Sequence, residues 1–128
     1  LRATPRAAPS RHPRLIWAAV LVAALAVIPY VNTLNNGFVL DDVSIVAENP
    51  MIRDLDNVGA MVRTNYWATT GRDASVIDPG LYRPLSIFTY AVDYRLGRLH
   101  PFGYHLTNLL LHGAVSVIVL LVALETVG

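Results

Sequence analysis

From Leu15 to Val31 the chain reads LIWAAVLVAALAVIPYV, a run without a single charge. Wound as an α-helix it reaches roughly 25 Å, close to the least that crosses the hydrocarbon core of a bilayer. Trp17 and Tyr30 sit near its two ends, where part-polar rings suit the water–lipid boundary, and Pro29 is tolerated because little helix follows it. Ahead of the run, LRATPRAAPSRHPR carries Arg2, Arg6, Arg11 and Arg14, three prolines and no acid, which predicts a disordered basic tail over residues 1–14. Positive charge on that side places the N-terminus in the cytoplasm and residues 32–103 on the extracytoplasmic face. A cleaved signal peptide is the competing reading, but AVIPYVNT lacks a small-x-small cleavage site and the apolar stretch is long.

A second span is expected over residues 104–124, YHLTNLLLHGAVSVIVLLVAL, with residues 125–128 beginning a cytoplasmic connection. His105, Asn108 and His112 recur there at intervals of three and four, which stacks them on one helical face. A polar face in a membrane helix turns toward protein or a water-filled cavity. Hydrogen bonds to neighbouring helices account for it as well as function does. The two histidines lie two turns apart, about 10 Å along the axis, so no metal site follows from them. Hydrophobic residues make up 54% of the 128, which fits an integral membrane protein. Cysteine is absent, so disulfides and thiolate metal sites are excluded, and all ten basic residues are Arg. Starting at Leu1 and stopping at Gly128 just after the second apolar run, the chain reads as a fragment of a longer protein.

Between the spans the pattern is helical with irregular connections. Asp54 or Asp56 can cap a helix in which Leu55, Val58, Met61, Val62 and Tyr66 recur at near-helical spacing. Pro84 suits a first helical turn ahead of LSIFTYAVDYRLGRL, in which Leu85, Phe88, Val92 and Leu96 form one apolar stripe and Gly97 supplies a stop. That helix either lies flat on the outer membrane surface or packs as an ordinary amphipathic helix. TTGRDASVIDPG, residues 69–80, has the composition of a mobile loop. The fold class is therefore all-α and integral to the membrane: two transmembrane helices flank a large extracytoplasmic loop that carries interfacial amphipathic helices.

Chemistry centres on Asp41 and Asp42, adjacent carboxylates in NGFVLDD just past the first span. Charge at a lipid boundary is costly unless solvent, a cation or a hydrogen-bonding partner compensates it. One carboxylate can serve as general base for an acceptor hydroxyl while the other orients it or binds a cation, so a divalent metal is permitted but not required. The alternative is an Asp that caps the segment VSIVAENP, its neighbour simply solvated. Arg83, at a helix start in GLYRPLS, offers a guanidinium beside free amides and so a receptor for phosphate; a structural ion pair with a loop carboxylate is the alternative. Arg53 is expected to brace the loop by pairing with Asp54 or Asp56. Neither a Gly-rich phosphate loop nor a basic-aromatic surface for nucleic acid is present.

The segments YVNTLNNGFVLDDVSIVAENPMIRDL, NYW, LYRPLS and DYRLGRLHPFGYHLTNLLLH, in this order, resemble the N-terminal part of the GT-C superfamily of membrane glycosyltransferases. The resemblance is to the transmembrane and tetratricopeptide-repeat-containing O-mannosyltransferase type and its bacterial relatives, and covers residues 30–112. It implies the N-terminal portion of a polytopic enzyme that takes a sugar, mannose among the candidates, from a polyprenyl- or dolichyl-phosphate donor. The acceptor is a hydroxyl on a protein, lipid or glycan at the outer face, in a bacterial inner membrane or the endoplasmic reticulum. Asp41 and Asp42 then take the catalytic positions, with Asp41 as base; Arg83 and His105 lie toward the donor phosphate, and Asn108 and His112 complete the supporting polar face. Members of the superfamily carry many more spans, so the fragment alone is expected to be inactive. The alternative is a non-enzymatic two-span protein whose outer loop binds a partner or lipid headgroup.

Overall fold

The computed structural model describes residues 12–70 and 81–127. Residues 1–11 of the expected tail and residues 71–80 of the expected mobile loop lie outside the described residues. Helix α1 is His12–Val27, and Ile28–Asn35 continues it as a 3₁₀-helix. Three longer-range elements follow the first span: α2, Val58–Met61; α3, Pro84–Gly97; and α4, Pro101–Val127. Single helical turns fill the rest, and no strand occurs among the described residues. The change of helix type at Ile28 has a local cause. Pro29 has no N–H to give to the carbonyl of Leu25 and its ring crowds that carbonyl, so the chain tightens its winding.

Two segments are long and apolar enough to cross a membrane, Pro13–Asn35 and Pro101–Val127. Each is longer than the span expected from sequence, the first by residues 13–14 and 32–35, the second by residues 101–103 and 125–127. Ile16, Leu21, Leu25, Val115, Ile118, Val119 and Val122 all stand exposed on these segments. Apolar surface on that scale calls for lipid, and a helix is the element that satisfies its own backbone there. The chain is thus an all-α membrane protein.

The described residues divide into two compact units, one from residues 12–30 and 110–127 and the other from those within 31–109. In the first, α1 and the later turns of α4 approach closely at Gly113, where a Cβ would come within 3.0 Å of the Val27 side chain. Small residues permit such approach between membrane helices. The rings of Tyr30 and His112 meet edge to face, 5.6 Å apart.

The second unit has a hydrophobic core of its own. Ile45, Val46, Ile52, Met61, Tyr66, Ile87, Ala91 and Tyr104 are buried together, with Phe38, Met51, Leu55, Trp67 and Tyr90 packed against them. Asn49 is fully buried yet satisfied: its amide donates to the Ile45 carbonyl and to Thr69 Oγ1, both at 3.0 Å, and its oxygen accepts from the Met51 amide at 2.9 Å. Thr69 in turn donates to the Tyr66 carbonyl. Thr69, expected in a mobile loop, is a buried part of this network.

Several expected details change. Asp54 does cap, accepting from the Asp56 amide at 3.0 Å, but the helix beyond it ends at Met61. The chain turns away there because the Tyr66 amide is taken by the Leu81 carbonyl, 2.8 Å away. In α3 the packed face is Ile87 and Ala91, while Leu85 and Leu96 of the predicted stripe are 74% and 82% exposed. Gly97 is the last helical residue, and the left-handed backbone that ends α3 falls on Arg98, at φ 54°. Among the described residues Arg53 braces the loop through carbonyls and a ring, not through Asp54 or Asp56. It donates from Nε to the Asn49 carbonyl at 3.2 Å and from Nη2 to the Ala47 carbonyl, and lies over the Tyr94 ring at 4.7 Å. Both Arg53, the stronger influence, and Arg98 pull the Tyr94 hydroxyl below its ordinary value.

Candidate active site

The carboxylate pair is presented by a tight turn. The Asp42 amide donates to the Val39 carbonyl at 3.0 Å, and between them Leu40 takes φ 52°. The left-handed region costs a non-glycine residue about 1–2 kcal/mol, and such strain gathers where a backbone must aim a functional group. Leu40 is 89% exposed, so packing of its own side chain within the unit does not impose this conformation. Asp41 and Asp42 open a helical segment whose next turn, Val43–Ala47, is wound as a π-helix with Ser44, Ile45 and Val46 buried. The Glu48 amide closes it on the Val43 carbonyl at 2.8 Å. Asp41 is exposed and Asp42 half-buried. Asp42 occupies the capping position, yet its side chain makes no capping hydrogen bond. The capping alternative for that residue therefore loses its support.

Arg83 stands at the capping position of α3 with Pro84 in the first turn, where the first amides of the helix have no intrahelical partner. It is exposed, and its carbon Cζ lies 5.7 Å from the centre of the Tyr66 ring. Tyr66 is the junction of the site. Burial first, then the Tyr90 hydroxyl and the charge of Asp41, push the Tyr66 phenol well above its ordinary value; Arg83 acts in the opposite sense. Arg83 thus lies over a buried phenol on which the charge of Asp41, from a distant part of the sequence, also acts. An anion and a cation that both act on one neutral phenol suit a reaction that takes a proton at one point and receives negative charge at another.

The remaining predicted residues are not gathered there. His105 is half-buried on α4 with Nε2 buried and without a hydrogen-bond partner, and no contact with Arg83 is made among the described residues. Asn108 is exposed; His112 is exposed and meets Tyr30. The predicted polar face thus comprises side chains in three different settings. Among the described residues no group of three or more His, Cys, Asp or Glu is arranged to hold a metal ion. Tyr66, Tyr90 and Asn49 were missing from the sequence-based site. Tyr66 lies in NYW and Asn49 in ENP, short segments whose residue types alone announce no chemistry; only the fold brings them to Arg83 and Thr69.

Three comparisons bear on what this arrangement serves. No family model matches the chain, and no solved structure matches it. Curated proteins do. The chain is 36% identical over 79% of its length to the protein O-mannosyl-transferase Tmtc1 of Drosophila melanogaster. It is 33% identical over 78% to TMTC3 and 30% identical over 80% to TMTC4, both protein O-mannosyl-transferases of Homo sapiens. The matches cover 12%, 11% and 14% of those relatives, so the chain spans about an eighth of their length. By sequence this chain is similar, over about four fifths of its length, to TMTC-type protein O-mannosyl-transferases.

Proposed function

We propose that the chain forms part of a membrane glycosyltransferase that moves a sugar, mannose by analogy with its named relatives, from a polyprenyl-phosphate donor to an acceptor hydroxyl. The basic tail sits in the cytoplasm in this reading, and residues 32–103 face the opposite side. The observation that supports it is Arg83 lying over the Tyr66 ring, a phenol on which the charge of Asp41 also acts. Asp41 takes the proton of the acceptor hydroxyl as its oxygen attacks the anomeric carbon. The bond from that carbon to the phosphate oxygen breaks, and the electron pair leaves with the lipid phosphate. Arg83 and the open amides at the start of α3 steady that departing charge. Asp42, half-buried beside the base, orients the hydroxyl. Tyr66 stays neutral, because burial and the Tyr90 hydroxyl hold its proton. His105 and the face with Asn108 and His112 remain candidates for donor contact once further spans surround α4.

The test is transfer of labelled mannose from polyprenyl-phosphate-mannose by the full-length protein. Asp41→Asn should lower the rate by about 10²–10⁴-fold, and Asp42→Asn by less. Wild-type rates in both variants would end this reading and leave the non-enzymatic alternative standing.

A further inference from the structure

A second feature of the 31–109 unit lies outside the Asp41 and Arg83 cluster. Asn35, Asn36 and Gly37 face His100, Pro101 and Phe102 across an open depression of about 400 Å³. Asn35 is the last residue of the first apolar segment and Pro101 the first of the second, so the depression is lined by the ends of both. Its walls are held in place from behind. Phe38, next to Gly37, packs edge to face on Tyr104 with ring centres 5.2 Å apart, and Tyr104 donates its hydroxyl to the Arg98 carbonyl at 2.8 Å. The Asn36 amide bonds the Thr33 carbonyl at 2.9 Å, and the His100 amide bonds that of Gly97 at 3.1 Å. Each turn is thereby held by its own hydrogen bond, and the Phe38–Tyr104 contact links the segments behind them.

Its chemistry selects the class of occupant. No Arg, Lys, Asp or Glu lines it among the described residues, so neither a phosphate nor an ammonium group finds a counter-charge. Two amide side chains supply paired donors and acceptors, and an imidazole adds one more. Phe102, 43% exposed, offers an aromatic face beside them. Amides around a ring fit a ligand that is polar at its rim and carries C–H groups on one face. A pyranose has that form, since its axial C–H bonds meet the negative face of an aromatic ring while its hydroxyls reach outward.

We propose that this depression is a binding site for a neutral hexose, with Phe102 as the platform and Asn36, Asn35 and His100 as its hydrogen-bonding rim. The choice of a hexose over other neutral polar ligands rests on the sugar-transfer reading; the site itself uses neither Asp41 nor Arg83. Gly37 lies only a few residues before Asp41, with Phe38 anchored between them. A sugar seated here is therefore carried on the same segment as the proposed base.

The test is saturation-transfer difference NMR with methyl α-mannoside on the full-length protein in lipid nanodiscs. Wild type should transfer saturation to the sugar ring protons. Phe102→Leu, which keeps apolar bulk without the ring, and Asn36→Ala should each weaken binding at least about fivefold with far-ultraviolet circular dichroism unchanged. Asp41→Asn should bind the sugar as wild type does. Competition then separates the sources of the hexose. Displacement by polyprenyl-phosphate-mannose assigns the site to the donor, and lack of displacement assigns it to a free or acceptor-borne sugar. Equal displacement by the sugarless polyprenyl phosphate would overturn the proposal, as would absence of signal in wild type or undiminished signal in both site variants. Mannose transfer measured on the same samples keeps the two readings apart. Transfer that survives Asp41→Asn with sugar binding intact sinks only the transfer mechanism, whereas normal wild-type transfer with no sugar signal sinks only this site.

Discussion

Leu40 holds a backbone conformation that a glycine would adopt more cheaply, immediately before the proposed base. Leu40→Gly removes steric strain but adds flexibility to the unfolded chain, and the two effects are of similar size, about 1 kcal/mol each. Thermal unfolding should consequently change little, while mannose transfer falls several-fold because Asp41 is no longer aimed; transfer at the wild-type rate would show that the strain has no part in presenting the carboxylate. Asp93 poses a different problem. It is 7% exposed, with one oxygen bonded by Thr107 Oγ1 at 2.6 Å and the other buried without a partner. Burial raises its carboxyl above the ordinary 3.8, while the Thr107 hydroxyl pulls it down. The folded chain therefore holds this proton more tightly than the unfolded one. The stability contributed is complete below the unfolded value and is lost as pH rises through the folded value. Asp93→Asn keeps an acceptor for Thr107 and removes the charge. It should raise the unfolding temperature near pH 7 and lose that advantage below about pH 4; a benefit that is equal at both would point to packing instead.

Among the elements, the two apolar spans and the start of α3 could be read directly from sequence, because an uncharged run and a first-turn proline have few other structural meanings. The second unit was harder to read. Hydropathy identifies Leu85 and Leu96 as a stripe but cannot say that the stripe faces away from the core, since in a membrane protein exterior and interior are both apolar. Likewise the helix expected to run through Tyr66 stops at Met61, because a long-range bond to Leu81 outweighs local propensity. The short turns of this unit depend on Asn49 for their mutual position. Asn49→Ala would strip partners from the Ile45 carbonyl, the Thr69 hydroxyl and the Met51 amide at once, and should cost about 3 kcal/mol. Chemical denaturation of the full-length protein in mild detergent would measure it, with Asn49→Asp as a variant that retains the acceptor but not the donor.

For the whole molecule, the sequence announced a membrane protein and the neighbourhood of its acidic pair, but not which distant residues would meet there. Asp41 and Arg83 carry signals on their own; Tyr66, over which Arg83 lies, is one tyrosine among six. Helix packing within the first unit is set by Gly113. Gly113→Leu places a branched side chain where Val27 already stands, and should destabilise the protein by about 1–3 kcal/mol, with Gly113→Ala milder since Val27 need only give slightly. Unfolding in detergent at increasing temperature would rank the three. The 3₁₀ stretch after Ile28 has a consequence for where the protein can reside. Wound at about 2.0 Å per residue in place of 1.5 Å, its eight residues reach about 4 Å farther than α-helix would. The first span thus matches a thicker bilayer than its residue count implies. Pro29→Ala, by letting the α-helix continue, should shorten that reach and shift the protein's preference toward shorter-chain lipids, a change readable as partitioning between thin and thick vesicles.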